Sequence, residues 1–341
     1  MNTMTDPGMR QNAASPAHLT LLVRQIRCEA NGINSYELVD PSGAELPQVT
    51  AGAHVDVHLD GGIVRQYSLA NDPAERHRYV IAVLRDDAGR GGSKAVHASL
   101  KVRDLITVSQ PRNNFAIAST ATRHLLLAGG IGLTPLKAMA HHFERTGADY
   151  AFHYCCKGAD FAAFSQELAP LIESGHLTMH FDGGKAGAGL DLCALLKMHT
   201  AGTHLYYCGP TGFMDACARA TSHWPDGSVH FEHFKAPAIT GSAGASADSN
   251  TDDFQVQIAS TGDVLQVPES KSIVEVLRHA GIAIETSCEA GLCGTCKVRF
   301  ISGDVDHRDF ILSDAEHRDH LTVCVSRCST RAGNKLLVLD L

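Results

Sequence analysis

No stretch of this 341-residue sequence approaches ~18 consecutive apolar residues, so no membrane-spanning helix is expected. Long lysine or arginine runs are also lacking, and 29 basic against 37 acidic residues leave a net charge of −8. Nucleic acid is therefore not an expected partner. Residues 1–16 lack a charged segment followed by an apolar run, which argues against a secretory signal and for a disordered tail (1–17) on a cytoplasmic protein. No repeat of ~20–50 residues is present, which excludes a solenoid. Charged residues at 19% and hydrophobic ones at 44% fit an ordinary soluble globular chain. At ~150 residues per domain, two to three domains are expected.

What is present divides by rhythm. The stretch APAITGSAGASADSNTDD, residues 236–253, is small, polar and acidic, the composition of a linker. Residues 18–117 alternate as strands (LTLLVRQIRC, NSYELVD, HVDVHL, RQYSLA, RYVIAVLR, DLITVSQ) with one helical stretch at 93–100, which predicts a closed antiparallel β-barrel. In residues 118–235 the strands HLLLA, DYAFHYC, HLTMHF, HLYYC and VHF alternate with helical segments near 135–145, 164–173, 191–198 and 211–222. That alternation predicts a doubly wound α/β domain with a parallel sheet. Residues 254–341 open on a hairpin candidate around Thr261, Gly262 and Asp263, continue through the amphipathic SIVEVLRHAG, and close on the strand KLLVLDL.

Eleven cysteines are many for a compartment that keeps thiols reduced, where spaced clusters signal metal more often than disulfides. Cys288, Cys293 and Cys296 follow the spacing C-x4-C-x2-C, and Cys324 ends the apolar run LTVC, the plant-type pattern for a 2Fe–2S cluster. Gly291 and Gly294 would let backbone amides turn toward the sulfurs. The alternatives are structural zinc, which more often takes paired C-x2-C hooks whereas only one is present, and thiols that merely share a loop. Cys328 is a rival to Cys324 for the fourth position.

The segment HLLLAGGIGLTPLKAMAHHF reads strand, glycine loop, helix, with Gly129, Gly130 and Gly132 in the turn and Pro135 suited to a first helical turn. It is not G-x-G-x-x-G, so a plain tight turn remains an alternative. LYYCGPTGFMDA adds Cys208, Gly209 and Pro210 at the carboxyl edge of the same sheet, where ligands bind. In the barrel, Arg65, Tyr67 and Ser68 offer a phosphate or ring partner, a stacking plane and a small polar group. Read alone, RQYSLA is also an ordinary strand. Gly91, Gly92 and Ser93 open a helix, a natural anion site that would pass as a bare surface turn without the other segments.

RQYS, GRGGS, GGIGLTP with YCGP, then C-x4-C-x2-C with CVSR, in this order, resemble the phthalate dioxygenase reductase and vanillate demethylase reductase family over residues ~18–341. The resemblance implies an FMN-binding barrel (18–117), an NAD-binding α/β domain (118–235) and a C-terminal α+β, β-grasp ferredoxin-like domain (254–341). NADH would feed FMN, then the cluster, then a separate Rieske-type terminal oxygenase. Carried over by position, Arg65, Gln66, Tyr67 and Ser68 would hold the flavin, with Ala82 and Val83 bordering its ring and Gly91, Gly92 and Ser93 taking its phosphate. Gly130, Gly132, Thr134 and Pro135 would face the NADH pyrophosphate, and Cys208, Gly209 and Pro210 the nicotinamide. Phe234 would lie beside the flavin. Cys208, Thr134 and Phe234 are the candidate catalytic residues, Cys208 as a contact and not a nucleophile. Other readings are a reductase for a haem or carnitine-type monooxygenase, or a redox-sensing electron-carrier module. Cys28, Cys155, Cys193 and Cys217 read as buried core thiols and most histidines as solvated.

Overall fold

Period-two patterning yields strands β1 (Leu19–Ala30), β2 (Ile33–Val39), β3 (His54–Leu59), β4 (Ile63–Ser68), β5 (Tyr79–Leu84) and β6 (Leu105–Val108) in the computed structural model. The structure describes residues 18–89, 91–185, 187–236, 253–329 and 335–341. The expected tail lies outside the described residues, as does all of the expected linker except its two end residues. The six strands form one antiparallel sheet in the order β4-β3-β6-β1-β2-β5. Its edges meet where Leu69 bridges Ile81 and Ala70 N donates to Val80 O at 2.8 Å, so the sheet closes into a barrel. Closure satisfies the edges and encloses Leu38, Val55, Val57, Ile81 and Val108. Helix α1 (Gly92–Ser99) seals one end with Val96.

The next unit alternates strand and helix: β7 (Arg123–Gly129), α2 (Leu133–Thr146), β8 (Asp149–Cys156), α3 (Ser165–Glu173), β9 (Leu177–Phe181), α4 (Leu192–Leu196), β10 (Thr203–Cys208), α5 (Thr211–Ala220) and β11 (Val229–Glu232). All its strands are parallel, in the order β11-β10-β7-β8-β9. Such strands are covered on both faces, and Leu126, Leu127, Leu205 and Tyr206 are accordingly buried. Helix α2 starts two residues before Pro135, which places that proline in the first turn where its missing N–H costs nothing.

The C-terminal unit is a mixed sheet in the order β13-β12-β18-β14-β16, built from β12 (Phe254–Ile258), β13 (Val264–Val267), β14 (Lys297–Ser302), β16 (His320–Thr322) and β18 (Leu336–Leu339). β12 runs parallel to β18, and helix α6 (Ile273–His279) packs Ile273, Val274 and Leu277 on the sheet. A reciprocal cap between Ser272 and Glu275 starts α6. The pair β15 (Val305–Asp306) and β17 (Arg327–Cys328) stands apart. No described helix is long and apolar enough to cross a membrane.

Two expectations fail. Cys28 and Cys193 are exposed: the second half of β1 runs past the barrel core, and five-residue α4 buries only Leu196. Cys217 is buried and Cys155 half-buried. Most histidines are not solvated either, since only His18, His77, His176, His223 and His279 are exposed. Several of the others stack on rings, as where His230 stacks between His204 and Tyr206, and burial lowers the basicity of both His204 and His230.

Lys137 of α2 ties the first two units together. Its side chain is 2% exposed, and Nζ donates to Ala70 O of the barrel at 3.0 Å and pairs with Glu167 at 2.7 Å. Burial pulls the ammonium below the usual lysine range while Glu167 opposes that shift. Lys137→Ala leaves the Ala70 carbonyl without its donor and a cavity beside Phe164, and should cost about 2–3 kcal/mol. Thermal denaturation should show the midpoint falling by several degrees, whereas exposed Lys94→Ala should leave it in place.

Candidate functional site

Chain order sends β7 to β8 and β9 on one side, and β10 and β11 to the other. The resulting switch point, between the carboxyl ends of β7 and β10, is where open parallel sheets bind ligands. The GGIG turn, with Gly130 and Gly132, and the Cys208-Gly209-Pro210 turn meet there. A Cβ on Gly132 would lie 2.2 Å from Cys208 O, so only glycine allows the approach. Thr134 and Pro135 begin α2 directly behind, with Thr134 Oγ1 donating to Ile131 O at 3.2 Å.

Opposite this edge opens a cleft of ≈ 830 Å³. Arg65, Gln66, Tyr67 and Ser68 of β4, Ala82 of β5, and Gly92 and Ser93 of α1 form its barrel wall. Thr134 and Phe234 come from the parallel-sheet unit. Cys288, Ala290, Leu292, Arg308 and Phe310 close it from the C-terminal unit. Val83 does not line the cleft, because strand alternation turns it into the barrel core at 1% exposure and its carbonyl meets His97. Gly91 caps α1 beside the cleft. A Cβ on Gly92 would fall 2.2 Å from Arg65 Nε, so glycine lets the arginine stem cross the first turn of α1. A guanidinium laid on the positive end of an eight-residue helix makes a cradle for a phosphate.

Glu232, which sequence reasoning missed, lies directly behind the cleft wall, against Ser68. It ends β11 beside Cys208, its register partner on β10, and its side chain is 9% exposed. Ser68 Oγ donates to Oε2 at 3.0 Å, and His54 Nδ1 lies 3.8 Å from Oε1. Desolvation pushes the Glu232 carboxyl up to about 7, against the pull of Ser68. Burial, and then the neighbouring Glu232, raise the Cys208 thiol well above its ordinary value, so it stays protonated. The signal in HFEHF was an acid ending a short apolar strand at a ligand-binding edge.

The cysteine loop is folded around its thiols. Cys288 faces Cys293 and Cys296 faces Cys324 within thiol hydrogen-bonding reach. Within each pair the partner's hydrogen bond holds one thiol, Cys293 and Cys324, below the usual range. Leu292 N points at Cys288 Sγ, 3.3 Å away. Gly291 has φ +71, and a Cβ there would strike Val325 at 2.8 Å. Four facing thiols with an inward amide suit an iron–sulfur cluster. Cys328 lies on β17 opposite Val305, with its thiol toward Ser329 O at 3.8 Å. His307, Asp309 and His317 also bring donor atoms within 4.8 Å of one another. The two rings stack at 4.0 Å and 27°, however, so their lone pairs run side by side and do not converge on one ion.

Two hydrogen bonds seat the loop on the barrel. Ser287 Oγ donates to Asp56 Oδ1 at 2.6 Å, and Asn114 Nδ2 donates to Cys293 O at 3.2 Å. Asp56 is buried and also accepts from Arg112 Nη2.

Comparison with known proteins covers every unit. The family model for a 2Fe–2S iron–sulfur cluster binding domain matches residues 256–331. The chain is 54% identical to the tert-butanol monooxygenase / tert-amyl alcohol desaturase reductase subunit of Aquincola tertiaricarbonis, covering 95% of this chain and 96% of that one. It is 44% identical to a vanillate O-demethylase oxidoreductase of a Pseudomonas species, covering 95% and 100%. Among solved structures it is similar to phthalate dioxygenase reductase, described as a modular structure for electron transfer from pyridine nucleotides to 2Fe–2S. The TM-score is 0.71 at 39% identity, over 95% of this chain and 98% of that one.

The raised Glu232 carboxyl has a measurable consequence for stability. With its folded value near 7 and an ordinary carboxyl value of 4.5, the folded state holds the extra proton between those limits. Its stabilising contribution is complete below pH 4.5 and is lost as pH rises through 7, at up to about 1.4 kcal/mol per pH unit. Glu232→Gln, which mimics the protonated form, should flatten this part of the stability profile when denaturant midpoints are measured across the window.

Proposed function

The chain belongs to the oxygenase-reductase family of phthalate dioxygenase reductase and vanillate O-demethylase oxidoreductase, and from that premise we propose its electron path. It is an oxidoreductase. NADH is the donor, FMN binds in the cleft, and Cys288, Cys293, Cys296 and Cys324 hold a 2Fe–2S cluster. The acceptor is a separate Rieske-type terminal oxygenase, because this chain has no C-x-H pair with a second C-x2-H pair to supply such ligands itself. One observation carries the reading: a single cleft takes one wall from each unit, with Arg65 to Ser68, then Thr134 and Phe234, then Cys288 around it.

The residues present fit FMN. Arg65 and the start of α1 supply one phosphate cradle, and among the described residues the barrel offers no evident platform for an adenine. When bound, FMN supplies the exchange between a hydride's electron pair and a cluster that takes single electrons. The protein's part is placement. Ser68 lines the cleft and Glu232 holds a proton directly behind it, while Cys208, fully buried behind the cleft wall, stays a neutral thiol and does not itself line the cleft. Phe234, 38% exposed, covers the face a nicotinamide would approach. Ala290 and Leu292 exclude water between cleft and cluster loop. NADH is preferred over NADPH because the segment after β8 offers Lys157 opposed by Asp160 and no arginine fork for a 2′-phosphate.

Cys296→Ser tests the order of carriers. The variant should keep NADH-to-ferricyanide turnover, since ferricyanide can draw electrons from the cleft, and should fail to reduce a one-electron protein acceptor. Loss of ferricyanide turnover at wild-type flavin content would overturn the linear path.

A further inference from the structure

The proposed function brings a nicotinamide to the flavin in the cleft, and Phe234 already covers the face it would approach. One face cannot hold both rings, so Phe234 must move aside for each NADH. What restrains it is therefore part of the reaction. Phe234 stands between two anchors supplied by its chain neighbours, each reaching a different unit. His233 packs its ring on Phe310 of the C-terminal unit, with centroids 5.9 Å apart, and on Phe231 at 5.2 Å. Phe310 is itself tied to the cluster loop, its N–H donating to Gly291 O at 2.9 Å. Lys235 reaches the other way, and its Nζ donates to Asp86 Oδ2 in the segment that joins β5 to α1 of the barrel.

Asp86 is built as a fixed post. Its N–H donates to Ser93 Oγ at 3.0 Å and its Oδ1 accepts from Ala88 N at 3.2 Å, which leaves Oδ2 to the ammonium. The neighbouring cations are engaged elsewhere, Arg85 with the Asp87 carboxylate at 2.9 Å and Lys94 with the Asp87 carbonyl at 3.3 Å. Lys235 also holds the Asp86 carboxyl below the usual carboxylate range, so the pair is charged at neutral pH. The two anchors differ in what their release costs. Parting His233 from Phe310 bares apolar ring surface to water. Parting Lys235, whose side chain is 71% exposed, hands an ammonium to water that already surrounds it. An exposed pair of this kind shifts an equilibrium by at most about fivefold.

We propose that the Lys235–Asp86 ion pair is the latch that keeps Phe234 over the cleft and opens whenever a nicotinamide enters, so that it sets the apparent affinity for NADH. The latch rests on the reading of the cleft as the place where NADH meets FMN. Lys235 and Asp86 act through Phe234 and are positioning residues, with His233 on Phe310 as the pivot. No covalent bond changes, since the ammonium only trades a carboxylate for water. Only the unlatched fraction admits NADH, and the apparent Kd is the intrinsic one divided by that fraction. At saturating NADH every molecule is unlatched, so the limiting rate of flavin bleaching does not depend on the pair.

Anaerobic stopped-flow bleaching of the full-length holoenzyme over a range of NADH concentrations tests the latch. Lys235→Met and Asp86→Asn, the second of which keeps an oxygen for the Ala88 N–H, should each lower the apparent Kd for NADH about two- to fivefold at an unchanged limiting rate. Lys235→Asp combined with Asp86→Lys should return the wild-type value. The gap between wild type and the single variants should close as salt is raised from about 0.01 M to about 1 M, where the Debye length falls from about 30 Å to about 3 Å. Opposite shifts, with Lys235→Met weaker and Asp86→Asn tighter, would overturn the latch in favour of a bare charge effect on the nucleotide, and wild-type values in both would overturn it as well. The fluorine resonance of para-fluorophenylalanine placed at position 234 reads the same equilibrium without NADH, and it should move toward the solvent-exposed position in both single variants. If NADH failed to bleach wild-type flavin, the reductase reading would fall and NADH entry with it, whereas an unmoved fluorine resonance in both variants would overturn the latch alone.

Discussion

The buried carboxylate of Asp56 is the constraint on which the arrangement of the site depends. It projects from β3, takes the Arg112 guanidinium, and receives the hydroxyl of Ser287, the residue immediately before the first cysteine of the cluster loop. A carboxylate placed where no water reaches is tolerable only when its lone pairs are filled. Seating the loop is therefore part of satisfying the barrel. The Asn114 bond to Cys293 O adds a second point, and two points fix the loop against rotation. The cleft consequently has a third wall that the first two units could not build.

Burial then sets the chemistry of the floor. Glu232 and Cys208 are neighbours in register, and desolvation favours the neutral form of each. A neutral carboxyl can give or take a proton near neutral pH, whereas a thiol shifted well upward is inert toward addition. The same exclusion of water leaves His54 neutral behind them. Cations remain at the rim: Arg65 crosses the start of α1, and Lys235 pairs with Asp86 across the cleft mouth.

Much of this was legible in the sequence because it rests on local rules. Period-two strands, the strand–helix alternation and the Thr261–Asp263 hairpin follow from neighbours within a few residues. The GGIGLTP turn and the cysteine spacing carry their geometry in their glycines. Three features were not legible. Val83 was placed at the flavin by position along the chain, but alternation decides which face it takes. Cys28 and Cys193 have apolar neighbours yet are exposed, because β1 overshoots the core and α4 is one turn long. Glu232, His54 and Asp56 matter through contacts between residues far apart in the chain, Asp56 and Ser287 being 231 apart, and no local pattern encodes such a meeting.

The central claim is that electrons cross from the cleft to the cluster while the loop is seated on the barrel by Asp56. Anaerobic rapid-scan absorbance after mixing with NADH separates flavin bleaching from cluster reduction in one experiment. In Asp56→Ala, cluster reduction should slow by about tenfold, the equivalent of about 1.4 kcal/mol in seating free energy, and so lag behind flavin bleaching. Cluster reduction at the wild-type rate in a folded Asp56→Ala protein would contradict the account.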